Sequence, residues 1–137
     1  MNDKIMLSIH HEYAELIFSG AKTLEIRKTA PSGGYPYIIY MYETKRDGGA
    51  GAVVGFFKCG AVVKTNAFGK ALFSELADGH RADIVARSCL DLDKLAAYAD
   101  GGDICGLVVG THIRFPRPRP LSDFGLTRAP QSWQYLK

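Results

Sequence analysis

The sequence predicts an α+β fold in which a mostly antiparallel sheet carries a few short helices. Three observations predict it: apolar residues alternate over residues 5–9 and 104–113, a hairpin pattern lies between them, and helical spacing is confined to residues 13–18 and 68–98. Strands and helices therefore do not alternate regularly, as βαβ units would require. The 137 residues suffice for one domain, residues 1–137, with a core of its own.

The first strand and the first helix lead up to a glycine. Ile5, Leu7 and Ile9 alternate in the manner of a half-buried strand. The apolar residues that follow recur at helical spacing, and they are Tyr13, Ala14, Leu16, Ile17 and Phe18. Gly20 is expected to end this helix, and Ser8 is a candidate for its N-cap.

Charge is concentrated in the strand that comes next. Residues 20–27 read Gly-Ala-Lys-Thr-Leu-Glu-Ile-Arg, with three charged side chains between two apolar segments. Regular alternation puts Thr23, Glu25 and Arg27 on one face of this strand, opposite Lys22. A twist or bulge at the start of the strand would bring the amine of Lys22 back towards Glu25 and Arg27. The alternative is an exposed ladder of surface ion pairs, which contributes little to stability.

The central part of the chain is predicted to be a β-hairpin. Residues 37–42 are aromatic and β-branched, residues 52–63 form a second apolar strand, and the glycine-rich residues 45–51 separate the two. Gly55 and Gly60 lie inside the second strand, where glycine indicates a bulge or a close backbone approach. We therefore expect the sheet to curve at these two positions.

Helical spacing returns in the second half of the chain. It is carried by Ala71, Leu72, Leu76, Ile84, Val85, Leu92, Leu95, Ala96 and Tyr98. Asp91 or Asp93 is expected to cap the last helix, which ends at Gly101 and Gly102. A strand follows the two glycines. The prolines of residues 115–120 cannot donate a continuous ladder of hydrogen bonds, so we expect an extended rim there.

The segment from Met6 to Arg27 resembles the signature G-x-K-x-x-E-x-R of the ASCH family, which belongs to the PUA-like superfamily. The residues that carry the resemblance are Ser8, Ile9, Glu12, Tyr13, Ala14, Ile17, Gly20, Lys22, Glu25 and Arg27. A weaker likeness extends to residues 130–136. His11 stands where many relatives have a proline, a difference that affects only the local pre-organisation of a helix start. The resemblance implies a PUA-like fold, which is a small, mostly antiparallel β-barrel with helices packed around it.

The charge of the chain is compatible with a polyanionic partner. The formal net charge of +3 and the pI near 8.8 permit such a partner, but they lie far below the values of proteins that coat DNA. No apolar run approaches the roughly 20 residues of a membrane helix, and the first residues carry no pattern of a targeting peptide. We therefore expect a cytoplasmic protein with no membrane partner.

Cysteine and histidine spacing predicts neither a disulfide framework nor a metal site. The cysteines Cys59, Cys89 and Cys105 are odd in number and widely spaced, so we expect buried free thiols. The four histidines lack ligand spacing such as H-E-x-x-H, and no glycine-rich phosphate loop is present. We expect no metal and no other cofactor.

Binding of RNA or of a modified nucleoside is the function that these residues favour. Arg27 offers planar donors for a phosphate or a base edge, Lys22 adds a mobile cation, and Glu25 can accept from an exocyclic amine. The candidate ligand-binding residues are Lys22, Glu25, Arg27, Ser8, Tyr40 and Trp133. The candidate stacking surfaces are Tyr35, Tyr37, Tyr40, Tyr42 and Trp133. Candidates for a nucleic-acid rim are Arg114, Arg117 and Arg119, which serve either phosphate contact or solubility.

Catalysis is the alternative that the resemblance implies. Some small ASCH proteins are amidohydrolases that remove the acetyl group from N4-acetylcytidine, and such an enzyme would be metal-independent. Lys22 and Glu25 are then the catalytic candidates, because a lysine activated by its neighbours can act as a nucleophile or base. Those enzymes use a threonine where Glu25 stands here, together with a distant glutamate, for which Glu75 is the candidate. A second alternative is a protein-interaction module that uses the proline-rich rim and Trp133.

Overall fold

The α+β class is confirmed by the computed structural model, which describes residues 3–32, 36–65 and 78–137. The described elements are β1 (Lys4–Ile9), α1 (His11–Phe18), β2 (Leu24–Arg27), β3 (Tyr37–Glu43), β4 (Ala52–Cys59), β5 (Val62–Thr65), α2 (Asp78–Ser88), α3 (Leu92–Ala99), β6 (Ile104–Val108), β7 (His112–Arg119) and β8 (Trp133–Tyr135). The predicted helical residues 68–76, the aromatic candidate Tyr35 and the candidate carboxylate Glu75 lie outside the described residues. Within the described ranges, no helix is long and apolar enough to cross a membrane.

The strands form two sheets. One has five strands in the order β7-β4-β3-β1-β8, and the other has three in the order β2-β6-β5. Only β1 and β3 run parallel among the described strand pairs, so the predicted antiparallel character holds. The described strands do not close into the single barrel that the family resemblance implied. The sequence pattern alone had not distinguished a barrel from open sheets, because alternation within a strand carries no information about closure.

Two strands that the sequence predicted as continuous are each divided between the two sheets. Residues 52–63 form β4 and β5, and residues 104–113 form β6 and the start of β7. The points at which the two strands pass from one sheet to the other are neighbours, because the backbone N–H of Val108 donates to the carbonyl of Ala61. Apolar alternation continues through both corners, which is why the sequence pattern did not show them.

The main core lies between the five-stranded sheet and α1. It includes Ile5, Leu7 and Ile9 of β1, which face Ala14 and Ile17 of the helix. The strand is not half-buried as predicted, however, because residues on its other face are covered as well; Met6, for example, is fully buried. The edge of β1 away from β3 is covered as well, because β8 pairs with it there.

The ends of the helices agree with the sequence in most respects. Gly20 follows α1 with a φ of +85°, a conformation that favours glycine. Asp91 caps α3 by accepting from the backbone N–H of Lys94 at 2.8 Å. The expected capping role of Ser8 is wrong, because Ser8 lies within β1 and donates its hydroxyl to the carbonyl of Pro130 at 2.6 Å. His10 occupies the N-cap position instead, without a capping hydrogen bond from its side chain.

The proline-rich segment is a strand at the edge of the large sheet. β7 pairs with β4 through His112 to Arg114 and again through Arg119, so Pro116 and Pro118 fall between the paired positions. An edge strand with such a gap tolerates prolines, because their missing N–H groups have no partner to lose. The extended conformation is therefore confirmed, and the pairing with β4 is an addition that the sequence did not predict.

Candidate functional site

A cavity of about 400 Å³ opens where β1 and β2 meet α3. Its walls come from Ser8, Ile9, His10, Tyr13, Lys22, Glu25, Ile26, Arg27, Thr44, Leu90, Lys94, Tyr98 and Gln131. The volume lies in the range of roughly 300 to 1,000 Å³ that is typical of small-molecule sites. The three charged residues of the predicted site all line this cavity.

Lys22 is buried at the base of the cavity, with 1% of its surface exposed. Its ammonium donates to the backbone carbonyl of Ser88, lies 3.4 Å from Oε1 of Glu25 and sits 5.1 Å from the centroid of the Tyr13 ring. All three partners of the ammonium belong to the protein itself. The backbone N–H of Lys22 donates to Leu16, which folds the chain back after α1. The predicted approach of Lys22 to Glu25 is therefore confirmed.

Glu25 lies between the two cations. Nε and Nη2 of Arg27 donate to its Oε2 at 3.1 and 2.7 Å, while its Oε1 faces Lys22. Glu25 and Arg27 are two residues apart in β2 and so share a face, as alternation predicted. Because Glu25 is only 5% exposed, the interpretation as an exposed ladder of surface ion pairs is wrong.

Arg27 joins three parts of the chain. Nη2 donates to the carbonyl of Ser8 at 2.7 Å, and Nη1 contacts Oγ and the carbonyl of Ser132 at 3.3 and 3.5 Å. Together with the two bonds to Glu25, these contacts engage the five N–H groups of the guanidinium. The contacts tie β2 to β1 and to the residue before β8, so Arg27 acts as a structural brace beside the cavity.

His10 and Thr44 form a polar wall of the cavity. Nε2 of His10 lies 3.4 Å from Nη1 of Arg46, which can only donate, so Nε2 is the accepting nitrogen. Nδ1 then carries the proton and donates to Oγ1 of Thr44 at 3.2 Å. These two contacts hold the ring at the edge of the cavity.

Tyr98 forms the opposite, more open wall. The residue is 37% exposed, and Nζ of Lys28 lies 5.5 Å from the ring centroid. Burial raises the pKa of the Tyr98 hydroxyl above its usual value of 10.0, and the nearby charge of Arg27 opposes that rise. The hydroxyl is therefore neutral at physiological pH and available as a donor.

The contribution of α3 to the site was not predicted from the sequence. Lys94 and Tyr98 are spaced by four residues in α3, which places them on one helical face towards the cavity, and Leu90 lines the cavity from just before the helix. That spacing was visible in the sequence. No local signal connected it to the charged strand, however, since more than sixty positions separate Arg27 from Leu90.

Two predicted ligand-binding aromatics lie away from the cavity. The ring of Tyr40 packs among Phe56, Phe115 and Phe124, with centroid distances between 4.8 and 6.4 Å. The indole of Trp133 donates to the carbonyl and to Oγ1 of Thr29, at 3.1 Å each.

Other predicted residues have structural partners as well. Tyr37 is fully buried and donates its hydroxyl to Pro31 at 3.2 Å. Ser8 lines the cavity, but its hydroxyl is committed to Pro130. Tyr42 is half-buried and does not line the cavity.

The three candidate rim arginines lie on β7, and two strands separate that strand from β1. Arg114 binds the carboxylate of Glu15 through two bonds of 2.9 Å, and Arg119 pairs with Asp123 at 3.2 Å. Arg117 is exposed on the same strand. The arginines therefore form a surface separate from the cavity.

Three residues near the start of α1 bring possible metal ligands together. Ligand atoms of His11, Glu15 and Glu43 lie within 4.8 Å of one another. Each carboxylate already has protein partners: Glu43 accepts from His11 and from the backbone of Ala50, and Glu15 accepts from Arg114. These contacts hold α1 against the β3–β4 hairpin and against β7.

Comparison with known proteins assigns the chain to a family. The model of the ASCH domain matches residues 7–116. The chain belongs to the ASCH domain family. The match includes the whole network of Lys22, Glu25 and Arg27, so the family signature corresponds in this ASCH domain to one buried cluster of charges.

Solved structures share the fold of this ASCH domain. The crystal structure of ASCH from Zymomonas mobilis superposes with a TM-score of 0.77 at 22% identity, over 98% of this chain and 87% of that chain. Two mutant forms of the Zymomonas mobilis protein each give a TM-score of 0.75 at 22% identity, over 98% of this chain and 88% and 90% of theirs. No curated protein matches the chain.

Proposed function

We propose that this ASCH domain binds a nucleoside unit, either in RNA or as a free modified nucleoside, in the cavity above Lys22, Glu25 and Arg27. The observation that carries the proposal is a buried carboxylate that still has an acceptor position to offer. A carboxylate has about four acceptor sites. Arg27 takes two on Oε2 of Glu25 and Lys22 takes one on Oε1. The remaining site can accept an N–H from a base edge, such as the exocyclic amine of cytosine.

The aromatic walls add support for a flat ligand. Tyr13 lines the cavity and packs against Lys22. Tyr98 also lines the cavity, and its side chain is partly exposed to solvent. Single-stranded RNA is commonly recognised by stacking of unpaired bases on such side chains. Polar groups of His10, Thr44 and Gln131 line the same space and can bind a ribose.

Binding is tested by titration calorimetry with cytidine, N4-acetylcytidine and a short single-stranded RNA. We expect Tyr98→Ala to lower the affinity about tenfold, since one stacked base is worth ~1 to 3 kcal/mol. The matched control is Tyr135→Ala, which removes a similarly exposed tyrosine (44%) that contacts Ser32 and does not line the cavity. Equal affinity of the wild type and Tyr98→Ala for every ligand, or no binding at all, contradicts the proposal.

A second candidate function is the amidohydrolase activity that the family resemblance suggests. The observation in its favour is that Lys22 and Glu25 lie side by side within the cavity. An ammonium has no lone pair, so Lys22 must first pass a proton to a base before it can attack an acyl carbon, and Glu25 is the nearest carboxylate. Lys22 also contacts the carbonyl of Ser88 and the ring of Tyr13, and an attack on an acyl carbon would have to give up these contacts, which favours binding over hydrolysis.

The hydrolase is tested by following cytidine release from N4-acetylcytidine. The wild type, Lys22→Ala and the exposed control Lys58→Ala are compared. Turnover that disappears only in a folded Lys22→Ala variant supports the enzyme. Cytidine release no faster than in buffer rules out this substrate and leaves binding as the function.

The protein-interaction module stays a prediction. The residues proposed for it are parts of the fold: the prolines belong to an edge strand, and Trp133 packs against Thr29 and Tyr135.

A further inference from the structure

We infer that Lys94 contacts a phosphate of the ligand, so that this ASCH domain prefers a phosphorylated nucleoside to an uncharged one. The inference rests on the proposed nucleoside binding and names the chemistry of the ligand more closely. The phosphate belongs either to a mononucleotide or to the backbone of RNA. From the sequence, Arg27 was expected to contact a phosphate or a base edge, with Lys22 as an additional cation.

The two cations of the signature are already engaged within the protein. The ammonium of Lys22 donates to Ser88 and lies beside the carboxylate of Glu25 and the ring of Tyr13. Arg27 distributes its N–H groups over Glu25 and two backbone segments. Neither cation has a donor to offer a ligand without giving up a buried contact, which is costly.

Lys94 differs from both cations in its surroundings. It lines the cavity from α3, its side chain is exposed, and no ion-pair partner for it lies within the part of the chain that the structure describes. Asp91 and Asp93 are close in sequence, but neither lines the cavity, and the carboxylate of Asp91 is bound to the backbone N–H of Lys94. The ammonium of Lys94 is therefore available to a ligand.

The net charge around the cavity favours an anion. Lys22 and Arg27 are balanced by Glu25 alone, which leaves one positive charge buried at the base. Lys94 adds a second positive charge at the side of the cavity. A cleft with an excess of one sign of charge concentrates the opposite sign, and a phosphate supplies it. An uncharged nucleoside cannot neutralise this positive potential.

The test compares ribonucleosides with their 5′-monophosphates, and with a short single-stranded RNA, by titration calorimetry. We expect the wild type to bind the matching monophosphate about five- to tenfold more tightly than the nucleoside, because one charge-assisted hydrogen bond contributes an affinity gain of that size. Lys94→Gln should abolish that difference, whereas Lys94→Arg should retain it. Lys58→Gln, an exposed lysine outside the cavity, is the matched control. Glutamine is a good helix former, so α3 is preserved.

The outcomes separate this inference from the proposed function. Equal affinity for nucleoside and monophosphate, together with RNA binding that is unchanged in Lys94→Gln, overturns the role of Lys94 and leaves nucleoside binding intact. No binding of nucleoside, monophosphate or RNA overturns both. A loss of affinity in Lys94→Gln that is seen for RNA alone supports the inference and identifies the phosphate as a phosphodiester.

Discussion

The ammonium nitrogen of Lys22 lies 3.4 Å from Oε1 of Glu25, and both side chains are buried. Arg27 binds the other oxygen of the same carboxylate at 2.7 Å. A single anion therefore pairs with two cations at the base of the cavity. The stability of the site depends on that carboxylate, because buried charges without a partner are costly.

Replacing Glu25 by glutamine is expected to destabilise the fold strongly. The change leaves Lys22 and Arg27 as buried cations with no carboxylate between them, so the free energy of unfolding should fall by about 3 kcal/mol. Urea unfolding measures this change. Glu12→Gln removes the same charge from an exposed position of α1 and should alter stability by less than ~0.5 kcal/mol. Similar losses in the two variants would contradict the role of Glu25.

Gly55 and Gly60 should differ sharply in their tolerance of alanine. A Cβ at Gly55 would collide with the carbonyl oxygen of Ile113 and lie 2.7 Å from the ring of Phe18, whereas a Cβ at Gly60 meets nothing within 4 Å. We expect Gly55→Ala to lower the melting temperature and to cost about 2 kcal/mol. Gly60→Ala should be nearly neutral. Equal melting temperatures of Gly55→Ala and Gly60→Ala would show that α1 does not pack against β4 at Gly55.

The pair of Glu15 and Arg114 should make a small, pH-dependent contribution to stability. The hydrogen bonds from Arg114 hold the pKa of the Glu15 carboxyl below its usual value of 4.5, while partial burial opposes them. The contribution is therefore present above the unfolded-state pKa near 4.5 and is lost as the pH falls through the lower pKa of the folded state. Both side chains are more than 40% exposed, so it should stay below about 1 kcal/mol.

An NMR titration of the Glu15 carboxyl carbon checks this pair. In Arg114→Gln the pKa should return towards its ordinary value, and Arg117→Gln is the control on the same strand. A Glu15 pKa that is identical in the two variants would exclude the contact in solution.

The three cysteines should differ in reactivity. Burial raises the pKa of the Cys59 and Cys105 thiols above their usual value of 9.0, and the thiolate is the reactive form. Cys89 is only half-buried. Iodoacetamide at mildly alkaline pH should therefore label Cys89 first and the other two cysteines only after unfolding. Peptide mass mapping measures the order of labelling. Rapid labelling of Cys59 in the folded protein would be inconsistent with this core.

Arg117 is the rim arginine expected to influence RNA affinity most. Arg114 and Arg119 form ion pairs with Glu15 and Asp123. Arg117 is exposed on the same edge strand, and no ion pair of its side chain is seen among the described residues. If the proposed RNA binding extends to this edge, Arg117→Gln should weaken it across sequences and reduce the salt slope of binding by about one. Unchanged RNA affinity and salt slope in Arg117→Gln would confine binding to the cavity.

Local features were predictable because short-range spacing decides them. Gly20 ends α1, Asp91 caps α3, and β3 pairs with β4 as a hairpin, all as the sequence indicated. The meeting of Glu25 with Arg27 also follows from alternation within one strand. Sheet corners were not predictable, because at Gly60 the apolar alternation runs on from one sheet into the other.

The sequence by itself determined which charged residues come together, because Lys22, Glu25 and Arg27 are close neighbours along the chain. The tertiary structure decided what those charges can do. Lys22 finds the carbonyl of Ser88, 66 positions away, and Arg27 finds Ser132, 105 positions away. These distant partners hold the two cations in contacts within the protein. The cation that we propose to contact a ligand is instead Lys94 on α3, whose position depends on packing that no local pattern records.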